Sequence, residues 1–128
     1  MNILIVEDNE INAKVLEIML KDLQYQFNLS IAHNADEALS ATGASQYDLI
    51  LMDINLGDGS MDGVEVMKKL RESESYYSTP IYAVTCYSLP GDKERFLKAG
   101  FDKYFSKPVD QKQLLSEINI DFEKKINQ

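Results

Sequence analysis

At 128 residues the chain fits one domain, residues 1–128, with a real hydrophobic core. It is 45% hydrophobic and 27% charged, a globular balance, and its net charge of -8 sets its surface against nucleic acid and anionic membrane, so a cation or a basic partner suits it better. Its apolar runs are far too short to span a bilayer, and the one cysteine, Cys86, has no internal partner for a disulfide, which points to a reducing, cytoplasmic setting.

The opening "MNILIVED" is apolar but has no basic flank and no small-residue cleavage site. It reads as a first strand over Asn2–Val6 and not as a signal peptide. Ile11, Val15, Ile18, Met19 and Leu23 recur at helical spacing and predict a helix over about 10–23 with those residues inward. A weaker strand follows over 26–32. Ala35, Ala38 and Leu39 mark a second helix, which Gly43 ends. Tyr47–Met52 is a third strand, and Val64, Met67 and Leu70 mark a third helix. Pro80–Thr85 is a fourth strand. Pro90 suits the first turn of a fourth helix that ends near Gly100. Phe101–Phe105 is a fifth strand, and Leu114, Leu115, Ile118 and Phe122 mark a fifth helix.

Alternating strands and helices imply a parallel sheet covered on both sides. The first, third and fourth strands are continuously apolar, as burial on both faces requires. Five units are too few for a closed eight-stranded barrel, so an α/β, doubly wound, open sheet is expected. Sites in such sheets form at the carboxyl ends of the strands.

Those ends carry Glu7-Asp8, Asp53, Thr85 and Lys107-Pro108. Three neighbouring carboxylates repel, and a divalent cation removes the conflict. Oxygen ligands without histidine or cysteine suggest Mg²⁺, which favours phosphate substrates. Asp53 then suits attack on phosphorus, with Lys107 and the metal neutralising charge and Thr85 donating a hydrogen bond. Taken singly, each residue has a plainer use: Asp8 precedes a helix and suits a cap, a lone threonine is structural, and a lone lysine is solvated. It is the coincidence at four strand ends that favours chemistry.

Other features read more plainly. His33 is a surface loop histidine, and Cys86 is a small buried side chain. The loop "GDGSMDG", Gly57 to Gly63, lacks the lysine and the spacing of a phosphate-binding loop. Met52, Met61 and Met67 serve packing. Tyr87, just past Thr85, either covers the approach to the site and excludes water, or turns to solvent or a partner.

The stretches "ILIVEDNEINAKV", "DLILMDINL", "MDGVEVMKKLR", "PIYAVT" and "AGFDKYFSKPV" together resemble response-regulator receiver domains of two-component signalling. "VEDNEIN" is similar to receivers of hybrid sensor kinases. The resemblance implies a flavodoxin-like (βα)5 fold of strand order 2-1-3-4-5. It implies Mg²⁺ held by Glu7, Asp8, Asp53 and the backbone carbonyl of Asn55. By the same resemblance Asp53 is the phosphoacceptor, Thr85 the switch hydroxyl, Tyr104 the switch aromatic and Lys107 the family lysine, with a cis Lys107-Pro108 bond. The donor is then a phosphohistidine on a histidine kinase or a phosphotransfer protein. No contact with nucleic acid or membrane is expected of this domain, and its oligomeric state is not readable. It would catalyse only its own phosphorylation and slow dephosphorylation, and would change its helix 4, strand 5 and helix 5 face. Gly57 departs from the proline common in the family, and that loop looks longer than usual.

Other classes share parts of this pattern. Dehalogenase-type hydrolases also use an aspartate and Mg²⁺, but they need an acid where this chain has Asn55. A flavin carrier needs hydroxyls and amides where this chain has Glu7-Asp8. A receiver kept only as a scaffold has no need of the intact acidic set.

Overall fold

A computed structural model describes residues 1–57 and 61–127. Asp58, Gly59 and Ser60, the middle of the loop singled out above, therefore lie outside the described residues. In chain order the elements are β1 (Asn2–Val6), α1 (Glu10–Leu20), β2 (Asn28–Ala32), α2 (Ala35–Ala44), β3 (Leu49–Met52), α3 (Gly63–Arg71), β4 (Ile81–Thr85), α4 (Asp92–Ala99), β5 (Lys103–Ser106) and α5 (Gln111–Ile126). The strands form one parallel sheet in the order β2-β1-β3-β4-β5.

Strand alternation sends side chains to opposite faces, and each face has its own core. Leu4, Val6, Ile50, Met52, Ile81 and Ala83 pack with Ala38 of α2, Val66, Met67 and Leu70 of α3, and Phe96 of α4. Ile3, Ile5, Leu49, Leu51, Tyr82 and Val84 pack with Leu16 and Leu20 of α1 and with Leu114, Ile118 and Phe122 of α5. The central strands are thus buried on both sides, which explains their unbroken apolar runs.

Five expectations are corrected. The inward face of α1 is Ala13, Leu16 and Leu20, while Ile11, Val15 and Ile18 are 74%, 44% and 53% exposed. Both stripes repeat every three or four residues, so period alone does not choose between them. The helix also stops at Leu20, where Lys21 N–H turns back to the Ile18 carbonyl, and Leu23 is buried beyond it. Gly43 lies inside α2, and the helix runs to Ala44 with Ser45 as its C-cap. Pro90 precedes α4 and is not in its first turn; Gly91, at φ 88°, is the N-cap. Cys86 is exposed, because β4 and its burial end at Thr85. Smaller shifts at the ends of β2, β3 and β5 leave the order intact.

Candidate functional site

Two neighbouring parallel strands deliver the acids to one edge. β1 runs out at Val6, and Glu7 N–H still bonds the Ala32 carbonyl at 2.9 Å. β3 runs out at Met52, and Asp53 N–H bonds the Val6 carbonyl at 2.9 Å. Glu7, Asp8 and Asp53 each place a carboxylate oxygen within 4.8 Å of the other two. Glu7 and Asp53 are buried and Asp8 is exposed, so the cluster opens to solvent on one side.

Lys107, just past β5, reaches into the cluster. Its ammonium donates to Glu7 Oε1 and, at 3.2 Å, to Asp53 Oδ2. Burial opposes the Lys107 charge, but the two carboxylates outweigh it and raise its pKa. Burial first, then a hydrogen bond shared with the Asp53 carboxylate, pushes Glu7 up to about 8 against the pull of Lys107. Glu7 Oε2 is buried without a hydrogen-bond partner among the described residues. One ammonium among three carboxylates and an orphaned buried oxygen make a set that fits a hard divalent cation. Its chemistry matches the expectation from sequence.

Thr85 is buried at the end of β4, and its Oγ1 accepts from Tyr87 N–H at 3.3 Å. Tyr104 on β5 donates its hydroxyl to the Tyr87 carbonyl and stacks on Phe96 of α4, ring centroids 6.1 Å apart. The Tyr87 ring rests against Phe96 at 6.3 Å with its other side open. Asn55 N–H bonds Asp53 Oδ1 at 3.3 Å, and its side-chain oxygen accepts from Gly57 N–H at 3.1 Å. Lys107-Pro108 is cis.

Three features had no functional reading in the sequence. A Cβ on Gly63 would lie 2.0 Å from the Asp53 carbonyl oxygen, so only glycine lets α3 start against the Asp53 backbone. The sequence signal was an acid just before that glycine: Asp62 and Glu65 form a capping box that starts α3 there. Gly57 has φ 80°, which excludes the proline common at that position, and its Cβ position lies 3.4 Å from Asp8 Oδ2. His33 is half-buried, not a free surface side chain, and its Nδ1 lies 3.2 Å from the Glu7 carbonyl oxygen.

Comparison with known proteins agrees with this geometry. Residues 3–119 match the family described as the response regulator receiver domain. The polar-differentiation response regulator DivK of Brucella anthropi is 35% identical over 91% of this chain and 92% of its own length. The signal transduction histidine-protein kinase BarA of Escherichia coli (strain K12) is 31% identical over 89% of this chain, which spans only 12% of that kinase. Among solved structures, the receiver domain of the sensor histidine kinase PA1611 from Pseudomonas aeruginosa PAO1 superposes with TM-score 0.76 and 34% identity. The match covers 88% of this chain and 89% of that one, and that structure has a magnesium ion coordinated in its active site cleft.

Proposed function

This chain belongs to the response regulator receiver domain family, and from that premise we propose that Asp53 accepts a phosphoryl group from a phosphohistidine in a Mg²⁺-dependent reaction. The observation that carries this reading is the buried Glu7–Asp53 pair bridged by Lys107, with a third carboxylate, Asp8, at its open side.

An Asp53 oxygen attacks phosphorus in line, the P–N bond to the donor imidazole breaks, and the imidazole leaves with the bond's electron pair. Glu7, Asp8, Asp53 and the Asn55 carbonyl would hold Mg²⁺, and the metal would supply positive charge to the transferring group. Lys107 turns from the free Asp53 carboxylate to the new phosphoryl oxygens. The Thr85 hydroxyl, an acceptor to Tyr87 N–H, still has its own proton to donate to a phosphoryl oxygen. Movement of Thr85 shifts the β4–α4 loop, and with it the Tyr87 carbonyl to which Tyr104 is tied.

On this reading the chain promotes its own phosphorylation and slow hydrolysis, and turns over no separate substrate. Residues 1–128 act as one receiver unit. The donor is a histidine kinase or a histidine phosphotransfer protein, and no nucleic acid or membrane takes part. Among the described residues no helix is long and apolar enough to cross a membrane, and a cytoplasmic setting agrees with the accessible thiol of Cys86.

The test is intact mass after incubation with acetyl phosphate. The wild type gains one phosphoryl group with Mg²⁺ and none with a chelator, and Asp53→Ala gains none. Modification of Asp53→Ala at the wild-type rate places the acceptor elsewhere.

A further inference from the structure

Besides its apolar stripe, α5 carries a second, polar one. Glu117, Asp121 and Lys125 recur every four residues and so share one side of the helix. Each binds a different part of the sheet. Glu117 pairs with Lys103 of β5 at 2.6 Å. Asp121 accepts the hydroxyl proton of Tyr82 on β4, and that hydroxyl also lies 3.2 Å from the Glu117 carbonyl oxygen. Lys125 reaches Asp48, just before β3, at 2.9 Å. Two of the anchors are cross-strand neighbours, since Tyr82 pairs in register with Lys103. The Tyr82 ring is fully buried against Phe105. At the other end of α5 the Gln111 amide donates to the Met19 carbonyl and to Asp22, both at 3.1 Å.

The apolar stripe alone does not fix the position of α5. Leu114, Ile118 and Phe122 also repeat every four residues, so a slide of one turn replaces one apolar residue with the next. Helices at interfaces do move by such steps. The polar seam removes the degeneracy. A slide in one direction brings Asp121 toward Asp48, an acid against an acid. A slide in the other leaves Asp48 without Lys125. The first slide also sets Gln113 in place of Glu117 opposite Lys103, and the second sets the Lys125 ammonium, a donor, in place of the Asp121 acceptor opposite Tyr82.

α4 is held differently. It has eight residues, no side-chain cap at its N-terminus, and only Asp92 and Phe96 buried. Phe96 contacts the rings of Tyr87, Phe101 and Tyr104, the last of which is tied to the loop that follows Thr85. Few buried contacts mark α4 as the element of lower local stability.

We propose that α5 is the fixed wall of the switch, its register locked by the Glu117–Asp121–Lys125 seam, and that the rearrangement following phosphorylation is confined to the β4–α4 loop, α4 and Tyr104. This rests on Asp53 as the phosphoacceptor. The face formed by α4, β5 and α5 then changes shape because its first two parts move against the third.

Hydrogen exchange of the full chain with Mg²⁺, with and without beryllofluoride as a phosphoryl mimic, tests it. In the wild type, exchange changes over 86–99 and around Tyr104 and stays constant over 111–126. In Tyr82→Phe and in Lys125→Ala, α5 exchanges several-fold faster before any mimic is added, and its exchange then responds to the mimic. A response in wild-type α5 as large as that in α4 overturns the proposal alone. So does full protection of α5 in both variants. No response in any segment overturns the phosphoacceptor reading and the proposal with it.

Discussion

Lys107 lies 3.2 Å from Asp53, across 54 residues of sequence, and donates to its carboxylate. Its ammonium shares itself between that carboxylate and Glu7. On the proposed reading, Lys107→Ala removes the charge that receives the phosphoryl oxygens. Phosphorylation by acetyl phosphate should slow by about a hundredfold, the usual loss for one preorganised group. A rate within twofold of wild type, measured under saturating Mg²⁺, would show that Lys107 is only a structural ion pair.

On the proposed reading, Glu7 makes metal binding depend on pH. In the metal-free protein its pKa stands at about 8, against an ordinary 4.5. Between those values the folded chain holds a proton that the unfolded chain has released, so this group's contribution to stability falls as pH rises and levels off above about 8. A divalent cation must displace that proton. Mg²⁺ affinity should therefore rise with pH up to about 8, with proton release visible by calorimetry in buffers of different ionisation enthalpy. Glu7→Gln should bind more weakly and lose most of the pH dependence. Affinity in the wild type that is flat from pH 6 to 8, a range in which Glu7 at about 8 is largely protonated, would contradict the assignment.

Two glycines should respond oppositely to alanine. At Gly63 the added Cβ meets backbone 2.0 Å away, so Gly63→Ala must shift the Asp53 loop and costs about 1–3 kcal/mol. At Gly43, inside α2, nothing lies within 4 Å, and Gly43→Ala should stabilise by about 0.5–1 kcal/mol. Urea unfolding of both variants checks the pair, and equal midpoints would refute the packing account. Gly63→Ala should also slow phosphorylation, while Gly43→Ala should not.

The outward face of α1 should separate chemistry from partner binding. Ile11, Val15 and Ile18 form an exposed apolar stripe on the helix that begins two residues past Asp8. On the proposed reading, a protein donor brings its phosphohistidine to Asp53 and meets this rim. The triple change to Ser should leave folding and the acetyl phosphate rate intact and slow transfer from a phosphotransfer protein. Unchanged transfer from the protein donor would show that the stripe is not covered during the reaction.

The parts of this protein that were legible in sequence are those set by short-range pattern. Buried strands announce themselves as apolar runs, and Glu7, Asp53, Thr85 and Lys107 stand at or just past their ends. The face of α1 was not legible, because Ile11-Val15-Ile18 and Ala13-Leu16-Leu20 interleave, and the larger residues are the exposed ones. Gly63 was not legible as part of the site, because the constraint on it comes from the Asp53 backbone and is visible only in three dimensions. Glu117, Asp121 and Lys125 read as an ordinary solvated helix face until Tyr82, Lys103 and Asp48 are seen opposite them.

The central claim is that Asp53 itself carries the phosphoryl group, and chemical mapping of the modified residue tests it most directly. Borohydride reduces an aspartyl phosphate to homoserine, which marks the acceptor permanently. After phosphorylation in Mg²⁺ and reduction, peptide fragmentation should find homoserine at position 53 and nowhere else. A reduced residue at Glu7, Asp8 or any other position, with Asp53 intact, would contradict the account.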